Sequence, residues 1–247
     1  IVNLSHSSIL SIPNNKHQNM NKLIIPLLSI VSASSVLFAQ SYSLTSTYLY
    51  IYVDAEDDSA IEGYLEYDAD LDDAPGLSLE WRTAPIDGMS YGLEYIYFGT
   101  KADVSGILDS DDALVMNVLT DGTEFIDGNP AEVKEEYTVH GALFNLAYNI
   151  ELSDESIAYI GAGVGFSHFN QEFSASTVGA KYTYDDSDTV FTYQFKAGVR
   201  YALNDAWAVN GGLRYIGFGD PEFSYGDVDL SGDVSALAIE LGLSYTF

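Results

Sequence analysis

From Asp233 to Phe247 the chain alternates with a period of two. Leu237, Ile239, Leu241, Leu243, Tyr245 and Phe247 fall on one face, and Ala238, Glu240, Gly242, Ser244 and Thr246 on the other. This is a β-strand pattern, and an unbroken apolar face running into aromatic residues suits a strand that faces lipid. Seven earlier segments repeat it: roughly 47–53, 77–82, 89–98, 138–150, 157–168, 190–203 and 207–217. The sixth is the clearest, with Phe191, Tyr193, Phe195, Val199, Tyr201 and Leu203 opposing Thr192, Gln194, Lys196, Gly198 and Arg200. The first is ambiguous, because Tyr48, Tyr50 and Tyr52 alternate with the equally apolar Leu49, Ile51 and Val53.

The connections alternate short and long. Residues 84–88, 152–156 and 204–206 carry the Pro, Gly, Asn and Asp of tight turns. Between them lie long polar stretches, 54–76, 99–136, 169–188 and 218–233, which read as loops. Tight turns at one rim and long loops at the other belong to an even-stranded transmembrane barrel. The predicted fold is all-β, an eight-stranded antiparallel up-and-down transmembrane β-barrel. A soluble barrel would put the apolar face inside. Trp81, Tyr201, Trp207 and Tyr245 favour lipid outside, because they lie on apolar faces where an aromatic girdle belongs.

Composition narrows the function classes. With no cysteine, disulfides, thiolate metal sites and Cys nucleophiles are excluded. A net charge of -28 argues against nucleic acid, whose phosphates attract Lys and Arg. The long apolar stretch lies near the start. Met20-Asn21-Lys22 forms a short positive region, Leu23 to Val31 an apolar one, and Ser32 to Ala39 a small-residue one. These are the parts of a signal peptide over 20–39, preceded by an upstream or disordered segment 1–19 and followed by a barrel domain 40–247. Cleavage after Ala39 removes Lys16 and Lys22 and no acid, so all 37 acidic residues belong to the exported part.

The stretches Ile160-Gly161-Ala162-Gly163-Val164-Gly165-Phe166, Phe195-Lys196-Ala197-Gly198-Val199-Arg200-Tyr201 and Gly212-Leu213-Arg214-Tyr215-Ile216 resemble the OmpA-like small eight-stranded outer-membrane β-barrel superfamily. This superfamily takes in the porin family and the outer membrane protein beta-barrel domain. The resemblance covers about Ser46 to Phe247, and the layout is similar to that of the small stand-alone members. It implies residence in a Gram-negative-type outer membrane, among lipid and lipopolysaccharide, as a monomer. Phe247 at the end of its strand resembles the C-terminal assembly signal read by the barrel assembly machinery. Such barrels are functionally diverse, so the likeness adds little about activity.

Alternation places Glu80, Arg82, Glu94, Lys196, Arg200, Arg214 and Glu240 on the inward face. An eight-stranded barrel is barely wide enough for its own side chains, so these charges are expected to pair. Arg200 is expected to pair with Glu80, Glu94 or Glu240. Gly161, Gly163, Gly165, Gly198 and Gly212 are expected to make room for long side chains. Asp68, Asp70 and Asp72 resemble the start of a calcium loop but lack its central Gly and closing Glu, and make the acidic loops candidates for divalent cations. Ser167-His168 invites comparison with barrel-borne lipid A deacylases, yet neighbours on one strand point to opposite faces. No enzymatic activity and no cofactor are expected. The function expected is an envelope structural or surface-interaction role through long acidic extracellular loops. A narrow pore for ions or small solutes is the alternative, and a lipid-modifying barrel enzyme ranks third.

Overall fold

A computed structural model describes residues 42–57, 73–107, 117, 125–225 and 228–247. The predicted upstream segment 1–19, the signal peptide 20–39 and the Asp68, Asp70 and Asp72 candidates lie outside the described residues. The strands described are β1 (Tyr42–Asp57), β2 (Ala74–Thr83), β3 (Met89–Ile107), β4 (Pro130–Glu151) and β5 (Ser156–Thr177). They continue with β6 (Ala180–Ala202), β7 (Trp207–Phe218), β8 (Glu222–Tyr225) and β9 (Val228–Thr246).

Sequential strands pair antiparallel, and β9 pairs with both β7 and β1, so eight strands close a cylinder. The short β8 only folds back on the start of β9. At the seam the Tyr42 amide donates to the Phe247 carbonyl at 3.2 Å, and the Phe247 amide returns the bond at 3.0 Å. Closure is what permits this chain in lipid, where an unpaired backbone group costs several kcal/mol.

The turns at that end are local chemistry. Asp87 and Gly88 have φ of 50° and 81°, and Ile86 and Met89 exchange backbone hydrogen bonds around them. Positive φ at both central positions makes a type I′ hairpin turn, whose twist matches the flanking strands. The Asn204 Oδ1 accepts from the amides of Ala206 and Trp207, both at 3.0 Å, and so turns the β6–β7 connection.

Near this end the outer face is apolar, with Phe144, Ile160, Phe195, Leu213 and Leu241 all exposed. The ambiguous first segment resolves the same way: Tyr48, Tyr50 and Tyr52 point out, while Leu49 and Ile51 are fully buried. Towards the opposite end the alternation persists with its sign reversed. In β5 the buried residues become Phe169, Phe173 and Ala175, and the outer face becomes Asn170, Glu172 and Ser174. Val139 on β4, Phe98 on β3, Phe218 on β7 and Phe223 on β8 join that upper apolar core. Burying such a side chain contributes about 1.5–3 kcal/mol, so this part is held as a soluble sheet is held.

The predicted loops therefore need correction. β3 runs on to Ile107, β4 starts at Pro130, and 169–188 is a hairpin of β5 and β6 turning at Val178-Gly179, with Gly179 at φ 87°. Likewise 218–233 contains β8 and the first residues of β9. These stretches look like loops because their outer face is polar. Water there replaces lipid, while the period of two continues.

Leu241 lies midway along the apolar face of β9 and is 67% exposed. Leu241→Arg is expected to lower the stability of the folded barrel in lipid vesicles by about 2–4 kcal/mol, the cost of a cation at mid-bilayer depth on this face. Urea titration against wild type checks it; an unchanged midpoint would place Leu241 away from lipid.

Candidate functional site: a charged plug in the lumen

The interior charges are arranged so that neighbours in the sheet repel. Glu80 of β2 lies directly opposite Glu94 of β3, and Lys196 of β6 directly opposite Arg214 of β7. Like charges facing each other across a strand pair are destabilising. Relief comes from across the lumen. The Lys196 Nζ donates to Glu80 at 3.0 Å and to Glu94 at 3.3 Å. The Arg214 Nη2 donates to Glu94 at 2.7 Å, and its Nε donates to Glu240 on β9, also at 2.7 Å. Arg82 pairs with Glu80 two residues earlier on its own strand. The acids of β2 and β3 thus tie to the cations of β6 and β7.

Neutral side chains complete the carboxylates' coordination. The Asn145 amide donates to Glu80 at 2.9 Å and Glu94 at 2.7 Å, and Gln194 donates to Glu94 at 2.8 Å. The Tyr159 hydroxyl reaches Glu240 at 3.4 Å. Every one of these groups is buried, so the pairs act in a low dielectric and each lost partner leaves a strong penalty. Glycines supply the space. A Cβ at Gly198 would lie 2.6 Å from the Tyr159 hydroxyl, and one at Gly92 would lie 2.5 Å from Glu80 Oε1.

The predicted inward residues Glu80, Arg82, Glu94, Lys196, Arg214 and Glu240 come together here. Arg200 differs from expectation. It lies opposite Asn210 on β7, and its Nε donates to Asn210 Oδ1 at 3.2 Å, with no carboxylate in ion-pair range among the described residues. The reason is stoichiometric: three carboxylates face four cations, and Arg82, Lys196 and Arg214 hold all three. Asn145, Tyr159 and Asn210 were not singled out from sequence. Their signal was position, since each shares the inward parity of the charges.

The aromatic candidates gather at the rim where the barrel closes. Trp81 stacks on Tyr42 with centroids 4.9 Å apart, Trp207 meets Tyr245 at 4.9 Å, and Phe247 lies 6.4 Å from Tyr42 and 6.3 Å from Tyr245. The Tyr201 hydroxyl donates to Glu155 of the neighbouring turn at 2.8 Å. Tyr42 is the member missed from sequence, because it precedes the first alternating segment. Ser167 and His168 separate to opposite faces: Ser167 is buried and bonded to Thr192 at 2.8 Å, and the His168 Nδ1 lies 2.9 Å from Thr189. No group of three or more His, Asp and Glu among the described residues is arranged to hold a metal.

Arg214→Leu takes from Glu240 its only cation among the described residues and leaves Glu94 with Lys196, which Glu80 shares. Deleting one partner of a buried pair costs about 3–5 kcal/mol, against about 0–1 kcal/mol for a surface charge such as that of exposed Lys181. The Arg214→Leu urea midpoint should fall well below that of Lys181→Leu, and Glu240→Gln added to it should restore part of the loss. Equal midpoints for the two single variants would sink the network as a source of stability.

The family model for the outer membrane protein beta-barrel domain matches residues 29–247. Outer membrane protein AlkL of Ectopseudomonas oleovorans is 32% identical over 109 residues, 43% of this chain and 45% of that protein, so the match spans less than half of the relative. Outer membrane protein OprG from Pseudomonas aeruginosa superposes with a TM-score of 0.50 at 16% identity, over 85% of this chain and 96% of that one. A major outer membrane protein from Thermus thermophilus gives a TM-score of 0.50 at 10% identity, over 85% of this chain and 100% of that one. These two likenesses concern the fold alone. Because the family match takes in every strand from Tyr42 to Thr246, the chain belongs to the outer membrane protein beta-barrel domain family, and its place is the outer membrane.

Proposed function

We propose that the protein is a non-enzymatic surface protein: a plugged barrel that carries an acidic β-wall outside the membrane for cationic partners or for support of the envelope. One observation carries this. β4, β5 and β6 are 22, 22 and 23 residues long, about twice the roughly 9–11 that cross a bilayer. The surplus is an ordered hairpin sheet over an apolar core. Its outer face bears Glu132 paired to Lys134, Glu136 paired to Lys101, and Glu172 facing Asp185 across the β5–β6 pair, with Lys181 near the turn; Asp220, Glu222 and Asp233 close by are also exposed. Beside it Asp220 hydrogen-bonds Asp233 and raises that carboxyl above its ordinary range, as expected where two acids crowd together. A surface of net negative charge steers cationic partners.

The aromatic rim would anchor the barrel at the inner boundary of the lipid, with Phe247 the element read by the assembly machinery. Lipopolysaccharide, divalent cations on the acidic connections and a monomeric state belong to the same proposal. The separation of Ser167 from His168 supports the non-enzymatic part. A pore that opens by exchange of ion-pair partners is the second reading. It is favoured only by Arg200, which is half-buried and has no carboxylate in ion-pair range among the described residues.

Two measurements test this. Oligolysine should bind the protein in nanodiscs with an affinity that falls as salt rises, and replacing Glu136, Glu172 and Asp185 by their amides should weaken it several-fold. Planar bilayers should give no stable conductance. Salt-independent binding would remove the acidic wall from the function, and steady conductance lost in Glu240→Gln would establish the pore instead.

A further inference from the structure

We propose that the lumen holds a small monovalent anion, of halide size, between Arg82 and Arg200 at the end of the plug nearest the tight turns. The charge count leaves one luminal cation without a carboxylate among the described residues. Glu80, Glu94 and Glu240 neutralise three of the four cations, and the nearest further buried acid, Glu135, lies in the upper part of β4, level with Phe173. Half-buried Arg200 is left with an amide oxygen, and a neutral acceptor only partly offsets a charge drawn out of water.

Space and unused donors coincide with that surplus. A cavity of about 10 Å³, room for one water-sized particle, is lined by four cations, Arg82, Lys196, Arg200 and Arg214, and by two carboxylates, Glu80 and Glu240, with neutral Thr45, Thr47, Tyr159 and Asn210 between them. The Nη1 atoms of Arg82 and Arg214 are buried and have no hydrogen-bond partner among the described residues. Four cations against two carboxylates around one void, with guanidinium N–H groups unspent, leave a surplus of positive charge and of donors for an anion. A water there would accept hydrogen bonds and leave the charge. The route in is short, since Arg82 is next to the last residue of β2, and Arg200 lies two residues from the end of β6.

The test is thermal unfolding of the refolded protein at constant ionic strength, with chloride or bromide replaced stepwise by gluconate, which is too large for the cavity. The wild-type midpoint should rise with halide and saturate. Arg200→Gln, which leaves every ion pair of the plug in place, should abolish the halide dependence; Arg200→Lys should retain it, and so should Lys181→Gln. Crystals grown in bromide should show an anomalous peak between Arg82 and Arg200, a readout that stands even if Arg200→Gln fails to refold. A wild-type midpoint indifferent to halide, or a cavity holding only water in bromide, would overturn the proposal.

Discussion

The ties between β2–β3 and β6–β7 across the lumen are the constraint from which much else follows. Lipid accepts no hydrogen bonds, so the sheet has to close, and eight strands close so tightly that facing walls touch through their side chains. Once the walls touch, an inward charge is answered by the far wall or is left buried alone. Glu80 beside Glu94, and Lys196 beside Arg214, would each oppose its own strand pairing. Set against each other they select the register of both pairs at once, because a slip of one residue would turn every charge into lipid.

Above the plug the same alternation serves a different solvent. Phe166 and Phe191 still face outward, while Phe169 on the same β5 faces inward. The sign of the pattern changes around Ser167 and His168, and that change marks where the surroundings pass from lipid to water. The lower barrel is polar inside and apolar outside; the upper barrel is the reverse, and is an ordinary hydrophobic core. One continuous set of strands therefore answers two opposite rules of burial, each held by the interaction its solvent makes effective.

This division explains which features were legible in the sequence. The strands were readable wherever apolar residues faced outward in a regular row, as in Phe191 to Leu203, and the hairpin at Asp87-Gly88 was readable from turn chemistry that depends on two residues. The hairpin over 169–188 was not, because a polar outer face with Glu172 and Asp185 looks like a loop unless Phe169 and Phe173 are given a core to fill. The partner of Arg200 was not readable either. Parity assigns a face, whereas partnership across a lumen depends on the register of all the strands between.

The geometry of the plug also bears on whether ions could pass. Glu94 accepts from Lys196, Arg214, Asn145 and Gln194, so these donors share one acceptor. Moving Arg214 away from Glu94 frees a carboxylate that Lys196 already shares with Glu80, and leaves Glu240 without its strongest partner. Groups coupled in this way shift together or not at all, since each intermediate arrangement holds an uncompensated charge in a narrow, low-dielectric space. Arg200 stands apart from that coupling. Among the described residues it is the luminal cation whose displacement breaks no ion pair, so the end of the lumen near the tight turns can rearrange while the centre stays closed.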